Sequence, residues 1–133
     1  MSLLKPTPGE VMDRMSILTL KQHAYRKANR DISALLSEEM ALRAYLKHFA
    51  FPNEKSVPVI QSLGELLADI NHELWKAEDE VRAAKSDSDI LKAAKKIASF
   101  NDLRSNTIQD INKAFHTENI EEKIYAGELD LIK

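Results

Sequence analysis

Apolar residues recur at alternating steps of three and four through the second half of the chain, as they do in amphipathic helices that pack against one another. A first run consists of apolar or small residues at Ile60, Leu63, Leu67, Ile70, Leu74, Ala77, Val81 and Ala84. A second run keeps the same spacing at Ile90, Ala94, Ile97, Asn101, Arg104, Ile108, Ile111 and Phe115. The polar segment 85–89, which separates the runs, carries residues that cap helices. The pattern therefore predicts a long antiparallel hairpin of helices over residues 58–85 and 88–116.

A first helix over residues 8–27 is predicted from a start signal near the front of the chain. Thr7 is placed to cap this helix while Glu10 reaches back to the Thr7 amide, and Pro8 suits the first helical position. Polar residues such as Asp13 and Lys21 fall mostly on other faces than the apolar stripe. That stripe is formed by Val11, Met15, Leu18, Gln22 and Tyr25.

A second helix is predicted over residues 31–49. Asn29 or Asp31 is placed to cap it, and the proline after Phe51 ends it, because a residue before proline resists the helical conformation. Beyond the hairpin, the capping-type residues 117–119 predict a break and then a short helix over 119–126 that stops at Gly127. The predicted buried face of the second helix is Ile32, Leu35, Leu36, Met40, Leu42, Leu46 and Phe49.

These elements predict an all-α fold, a four-to-five-helix, bundle-like single domain over residues 1–133 that is built on the long antiparallel helical hairpin. Composition then narrows the classes of function. With 19 Lys and Arg against 21 Asp and Glu, the chain has no general attraction for nucleic acid or for an anionic membrane. No apolar run approaches the roughly 18 residues of a membrane span, and the chain has no Cys. We therefore expect a cytoplasmic protein without nucleic-acid or membrane partners.

Metal-dependent chemistry has little support in the sequence. A di-metal site in a helical bundle needs two Glu-x-x-His motifs, and Asp69-x-x-His72 is the nearest approach to one, so we expect no metal and no other cofactor. A Mg²⁺-dependent hydrolase of the nucleotide-pyrophosphohydrolase type is an alternative, because such helical enzymes hold Mg²⁺ between clustered carboxylates on facing helices. The candidate clusters are Glu38-Glu39 and Glu78-Asp79.

Two polar residues interrupt the second run of the hairpin. Arg104, if buried there, needs a partner, since a stranded charge costs several kcal/mol. A turn centred near residue 87 places Arg104 beside Ile70. Asn101 then lies beside Glu73, and the predicted partners of Arg104 are Asp69 and Glu73. One interpretation is a polar layer that fixes the register of the two helices, and the other is a ligand-binding role.

Three segments of the hairpin carry a family resemblance. The segment 74–82, with Asn101-x-x-Arg104 and Ile108-x-x-Ile111-Asn112, resembles uncharacterised bacterial all-helical families, of the domain of unknown function 4254 and 6165 type. A related front pattern, Gly-Glu-Leu-x-Asp-Lys-x-Thr-Ile-Leu-x-x-Lys, is matched by Gly9, Glu10, Val11, Asp13, Arg14, Ser16, Ile17, Leu18 and Lys21. Lys76 and Ala77 stand where the family pattern carries His and Glu. The resemblance implies a bacterial helical domain without an established activity.

The function predicted from these observations is a non-enzymatic helical interaction or scaffolding module that forms a homodimer or another homo-oligomer. The alternative is a domain that binds a small anionic ligand of phosphate or nucleotide type, or that hydrolyses it with Mg²⁺. Convergence of at least four of the candidate polar and aromatic residues in one concave pocket would favour the alternative, and their dispersal over solvated faces would favour the interaction module. The candidates for that pocket are Glu10, Asp13, Trp75, Glu78, Asp79, Arg82, Asn101 and Arg104.

Overall fold

The computed structural model describes residues 5–49 and 54–125, with side chains as far as Phe115 in the last helix. The described ranges contain no strand, and the predicted all-α, bundle-like fold is confirmed. The predicted stop at Gly127 lies outside the described residues, and so does Phe51. The second helix, predicted over residues 31–49, spans only Ser33–Leu46. The four helices are α1 (Pro8–Lys27), α2 (Ser33–Leu46), α3 (Ser56–Ala83) and α4 (Asp87–Tyr125).

α3 and α4 form the predicted hairpin and make the most extensive contact between any two described helices. A buried cluster of Ile60, Leu67, Ile111 and Phe115 holds them together at the end away from the turn. The apolar run predicted along α3 is confirmed, because all eight of its positions are buried or half-buried. No described helix combines the length and the apolar character that a bilayer crossing requires.

The buried stripe of α4 differs from its prediction in the half nearest the turn. Ile90 is 43% exposed, and Ala94 and Asn101 are exposed as well. The residues next to them are covered instead: Ala93 is buried and Phe100 is half-buried. The prediction that Asn101 faces α3 is therefore wrong. Spacing alone does not choose between two adjacent apolar stripes, because the crossing angle of the helices decides which one meets the partner.

α4 continues without interruption through the break predicted at residues 117–119. It runs for 39 residues, from Asp87 to Tyr125, so the separate fifth helix over 119–126 is wrong. Thr117 and Asn119 are of types that favour helix caps, but such residues lower helix propensity only slightly, and Glu118 between them is a good helix former. This part of the sequence contains neither Gly nor Pro, the residues that would interrupt the backbone pattern.

α1 begins with the predicted capping box and then approaches α4 closely. Thr7 Oγ1 accepts from the Glu10 amide over 3.2 Å, and Glu10 Oε1 accepts from the Thr7 amide over 2.8 Å. The Gly9 amide donates to Asn112 Oδ1 of α4 over 2.7 Å. A Cβ on Gly9 would collide with the backbone carbonyl oxygen of Ile108. The absence of a side chain at Gly9 thus permits this helix crossing.

Asn29 ends α1 and does not cap α2. It adopts a left-handed conformation with φ of 57°, and the amide of Arg30 donates back to the Tyr25 carbonyl over 2.8 Å. This is the usual way in which a left-handed residue satisfies the last carbonyls of a helix. Neither predicted residue is the N-cap of α2, because that position is held by Ile32, which has no side-chain cap hydrogen bond. Asp31 lies one residue earlier, and its carboxylate accepts from the amide of Ser33, the first residue of the helix, over 3.0 Å.

α2 packs mainly on α1, and its Leu46 also packs against the core between α3 and α4. Its predicted buried face is therefore only partly covered: Met40 is 71% exposed and Leu36 40%, and no residue of the helix is fully buried. Polar contacts supplement the sparse apolar packing. They join Arg14 to Glu38 over 2.6 Å, Gln22 to Glu39 over 2.8 Å, and the Tyr45 hydroxyl to the Pro6 carbonyl over 2.9 Å.

The stability of the contact between α1 and α2 depends on pH through Glu39. Hydrogen bonds from Gln22 and then from Arg43 hold the pKa of Glu39 below its usual value. A carboxyl group whose pKa is lowered by folding stabilises the fold above its unfolded-state pKa, and that stabilisation is lost as pH falls through the folded-state pKa. We expect Glu39→Gln to be less stable than the unmodified chain at about pH 7. The difference between their free energies of unfolding should shrink towards about pH 3. Urea unfolding at both pH values measures this difference. A difference that acid leaves unchanged would contradict the lowered pKa of Glu39.

Candidate functional site: a polar cluster beside a groove

A cluster of four polar side chains lies where α1 crosses the hairpin. Arg104 donates to both carboxylate oxygens of Asp13, from Nε over 2.9 Å and from Nη2 over 2.6 Å. Asn71 donates from Nδ2 to Asp13 Oδ1 over 2.9 Å and to the Ser16 hydroxyl over 2.6 Å. The same hydroxyl donates to the Asp13 carbonyl over 2.8 Å. The cluster therefore joins α1, α3 and α4, with Asp13 at its centre.

Burial makes the pairing within this cluster necessary. The Asp13 side chain is 9% exposed and that of Arg104 33%. A buried carboxylate without a partner would be costly, and the two parallel bonds from a guanidinium offset that cost. The hydrogen bonds to Asp13 raise the pKa of Arg104, and Coulombic attraction to Asp13 and Glu78 adds to the rise. Arg104 therefore stays charged at any physiological pH.

The predicted partners of Arg104 are wrong. Both Asp69 and Glu73 belong to α3, whereas Arg104 binds Asp13 of α1. Glu73 lies instead near its own-helix neighbour Lys76, at 3.4 Å. The prediction considered the two hairpin helices only, and the crossing of α1 over them brings in an acid from another element.

An open groove of about 730 Å³ lies beside the cluster, between α1, α2 and the residues that precede α1. Its volume falls within the range of small-molecule sites in proteins, about 300–1,000 Å³. Its apolar lining is formed by Pro6, Val11, Ile17, Leu18 and Leu42. Its cations are Lys5, Arg14, Lys21 and Arg104, and its acids are Glu10, Asp13 and Glu38. The lining of the groove is thus partly apolar and partly charged, and it contains one more cationic than acidic side chain.

The eight candidate residues do not all meet in one pocket. Glu78 acts on Arg104 through its charge, although it lies exposed on α3. Trp75 is half-buried on the same helix. Asp79 and Arg82 form an exposed ion pair one turn apart, and Asn101 is exposed on α4. Three of the eight line the groove: Glu10, Asp13 and Arg104.

Sequence reasoning missed two members of the cluster and one neighbouring contact. Asn71 is 4% exposed and lies between two apolar positions of α3, so it carries the same signal as Arg104, a polar residue on a buried stripe. Ser16 carries no such signal. Asn112 supplies the acceptor for the Gly9 amide, and only the position of α1 reveals that role.

Three of the four acids in the predicted carboxylate clusters are engaged in ion pairs. Glu38 accepts from Arg14 and Glu39 from Arg43, while Asp79 accepts from Arg82. Within the part of the chain that the structure describes, no group of three or more His, Cys, Asp or Glu side chains is arranged to hold a metal ion. The magnesium-dependent alternative stays a prediction.

No family model, no curated protein and no solved structure matches this chain. The resemblance to helical families of unknown function stays a prediction, since it is carried by the short segments quoted above. Function is therefore inferred from the geometry of the helices and of the side chains that they leave at the surface.

Proposed function

We propose that this chain is a non-enzymatic helical interaction module that self-associates through one face of its hairpin. The observation that supports the proposal is a set of large aliphatic side chains on that face. Val59 is 51% exposed, Leu66 48% and Leu103 49%. We call these three residues the open face. Apolar side chains grouped on one surface are typical of sites that bind other proteins.

The open face lies on the side of the hairpin opposite α1. On α3, Gly64 faces α1, because a Cβ there would lie 2.8 Å from Met12 Cε. Leu66 is two residues further along, about 200° around the helix. On α4, Asn112 contacts the first turn of α1, and Leu103, nine residues earlier, points about 180° away from it. Both leucines therefore turn away from α1, which packs on the hairpin.

A second copy of this chain is the partner that suits the open face. Among the described helices, α1 packs along one side of the hairpin and, with 20 residues, is shorter than either α3 or α4, which have 28 and 39. α2 packs mainly on α1, and its Leu46 meets the hairpin on the α1 side, where it lines one pocket with Met12 and Gly64. Two hairpins that pack through their open faces would form a four-helix arrangement and bury the leucines of both copies. The same patch would serve both chains, which gives a closed two-fold dimer.

Charged substitutions on the open face are expected to separate the dimer. Leu66→Glu and Leu103→Glu each place a carboxylate in the proposed interface, where its desolvation opposes association. Light scattering at micromolar concentration should show the mass falling from that of two chains towards that of one. Leu91→Glu is the matched control: Leu91 is 57% exposed and lies about 120° around α4 from Leu103. An equal loss of mass in the control, or none in the two variants, would reject the open face as the interface.

A further inference from the structure

We infer that the groove between α1 and α2 binds a small molecule that combines an acidic group with an apolar body. This inference does not depend on self-association, because the groove and the open face lie on different sides of the hairpin. It rests on the charges that line the groove, on which of them are already paired, and on the apolar surface between them.

The acids of the groove are all engaged by neighbours. Glu10 accepts from the Thr7 amide, Asp13 is held by Arg104, and Glu38 is paired with Arg14. A cationic ligand would therefore have to displace an existing contact at each acid.

The cations of the groove are not all engaged in this way. Lys5 and Lys21 line it, and neither belongs to any ion pair found among the described residues. Both lysines are exposed, so their ammonium groups are accessible from solvent. With four cations and three acids along its wall, the groove has a net positive charge that suits an acidic group.

Arg14 is a third cation for the acidic group of a ligand, because breaking its present ion pair costs little. Its side chain is 64% exposed and that of its partner Glu38 36%, and surface pairs of this kind contribute at most about 1 kcal/mol. Arg14 and Lys21 are seven residues apart, so they share one face of α1. Arg104 differs from Arg14, because its guanidinium is held by Asp13. It adds to the electrostatic potential of the groove but is not free to contact a ligand directly.

The surface between these cations is apolar. Ile17 lies within one turn of both Arg14 and Lys21 on α1, and Leu42 lines the groove from α2. Both side chains are half-buried and leave part of their surface open to the groove. An inorganic anion would leave this surface wet, whereas an acidic molecule with an apolar body would cover it and gain from its burial.

Isothermal titration calorimetry with 2-naphthyl phosphate tests the inference. Inorganic phosphate and neutral 2-naphthol serve as the charge-only and apolar-only probes. We expect 2-naphthyl phosphate to bind at least about tenfold more tightly than either partial probe. The inference is overturned if 2-naphthyl phosphate gives no binding up to roughly 1 mM, or if 2-naphthol binds equally well.

Two lysine variants locate the binding. Lys21→Glu should weaken the binding of 2-naphthyl phosphate by more than about tenfold, because it changes the charge beside the acidic group by two units. Lys27→Glu makes the same change in net charge in the last turn of α1, outside the groove lining. Lys27→Glu should leave the dissociation constant for 2-naphthyl phosphate within about twofold of that of the unmodified chain. Equal losses in the two variants would indicate a general charge effect and would refute the site, as would equal affinity in Lys21→Glu and the unmodified chain.

Discussion

Alanine in place of Arg104 is expected to lower the free energy of unfolding by about 2–4 kcal/mol. The change leaves the Asp13 carboxylate, which is 9% exposed, without its cation. Removal of one partner from a fully buried pair costs about 3–5 kcal/mol. The expected value here is lower because the Arg104 side chain is 33% exposed, so water reaches part of the site. Urea denaturation measures the change.

A matched substitution and a double-mutant cycle show whether the loss comes from the pair itself. Arg82→Ala removes an exposed guanidinium whose partner is Asp79, with side chains 68% and 59% exposed, and should cost less than about 1 kcal/mol. In the cycle, Arg104→Met combined with Asp13→Asn should recover much of the loss, because no charge is then stranded. A coupling energy below about 0.5 kcal/mol between the two positions would contradict the structural role assigned to the pair.

Gly9→Ala is expected to destabilise the fold by about 2–4 kcal/mol. The added methyl group meets the backbone carbonyl oxygen of Ile108, and Asn112 Oδ1 lies 2.8 Å from the same position. Neither contact is the free end of a long side chain, so α1 must move away from α4. That movement also weakens the hydrogen bond from the Gly9 amide to Asn112, now 2.7 Å long. Thermal or urea unfolding gives the loss directly.

Gly64→Ala is the natural comparison, because it makes the same chemical change in the middle of α3. A Cβ there meets Met12 Cε at 2.8 Å, the end of a flexible side chain that can turn aside. Alanine within a helix is favoured over glycine by about 0.5–1 kcal/mol. The variant should therefore be neutral or slightly more stable than the unmodified chain. Equal destabilisation by the two substitutions would show that the close approach at Gly9 is not what limits the packing of α1.

Features that depend on neighbours in the sequence were predictable. The capping box joins Thr7 and Glu10, three residues apart, and the apolar spacing of α3 follows from the helix repeat. Features that depend on how helices cross were not. Arg104 and Asp13 are separated by 91 positions, and nothing in either local pattern points to the other. The incomplete burial of α2 has the same origin, since its sequence does not record that it packs mainly on one other helix, α1.

The site was predictable only as a list of polar residues on otherwise apolar stripes. Arg104 was identified in this way, and Asn71 carries the same signal although it was not singled out as a site residue. Asp13 was placed on a face of α1 other than the apolar stripe and was named as a candidate pocket residue, but one helix pattern does not reveal that this second face is covered by α4. Asn101 was assigned to the buried stripe because the neighbouring stripe through Phe100 fits the same spacing.

Sedimentation equilibrium of the unmodified chain over a micromolar concentration range tests self-association most directly. The chain mass is 15.1 kDa. The proposal predicts a mass that rises with concentration towards twice that value, as expected for a two-fold dimer closed by the open face. A mass that stays at 15.1 kDa across the whole range would contradict it.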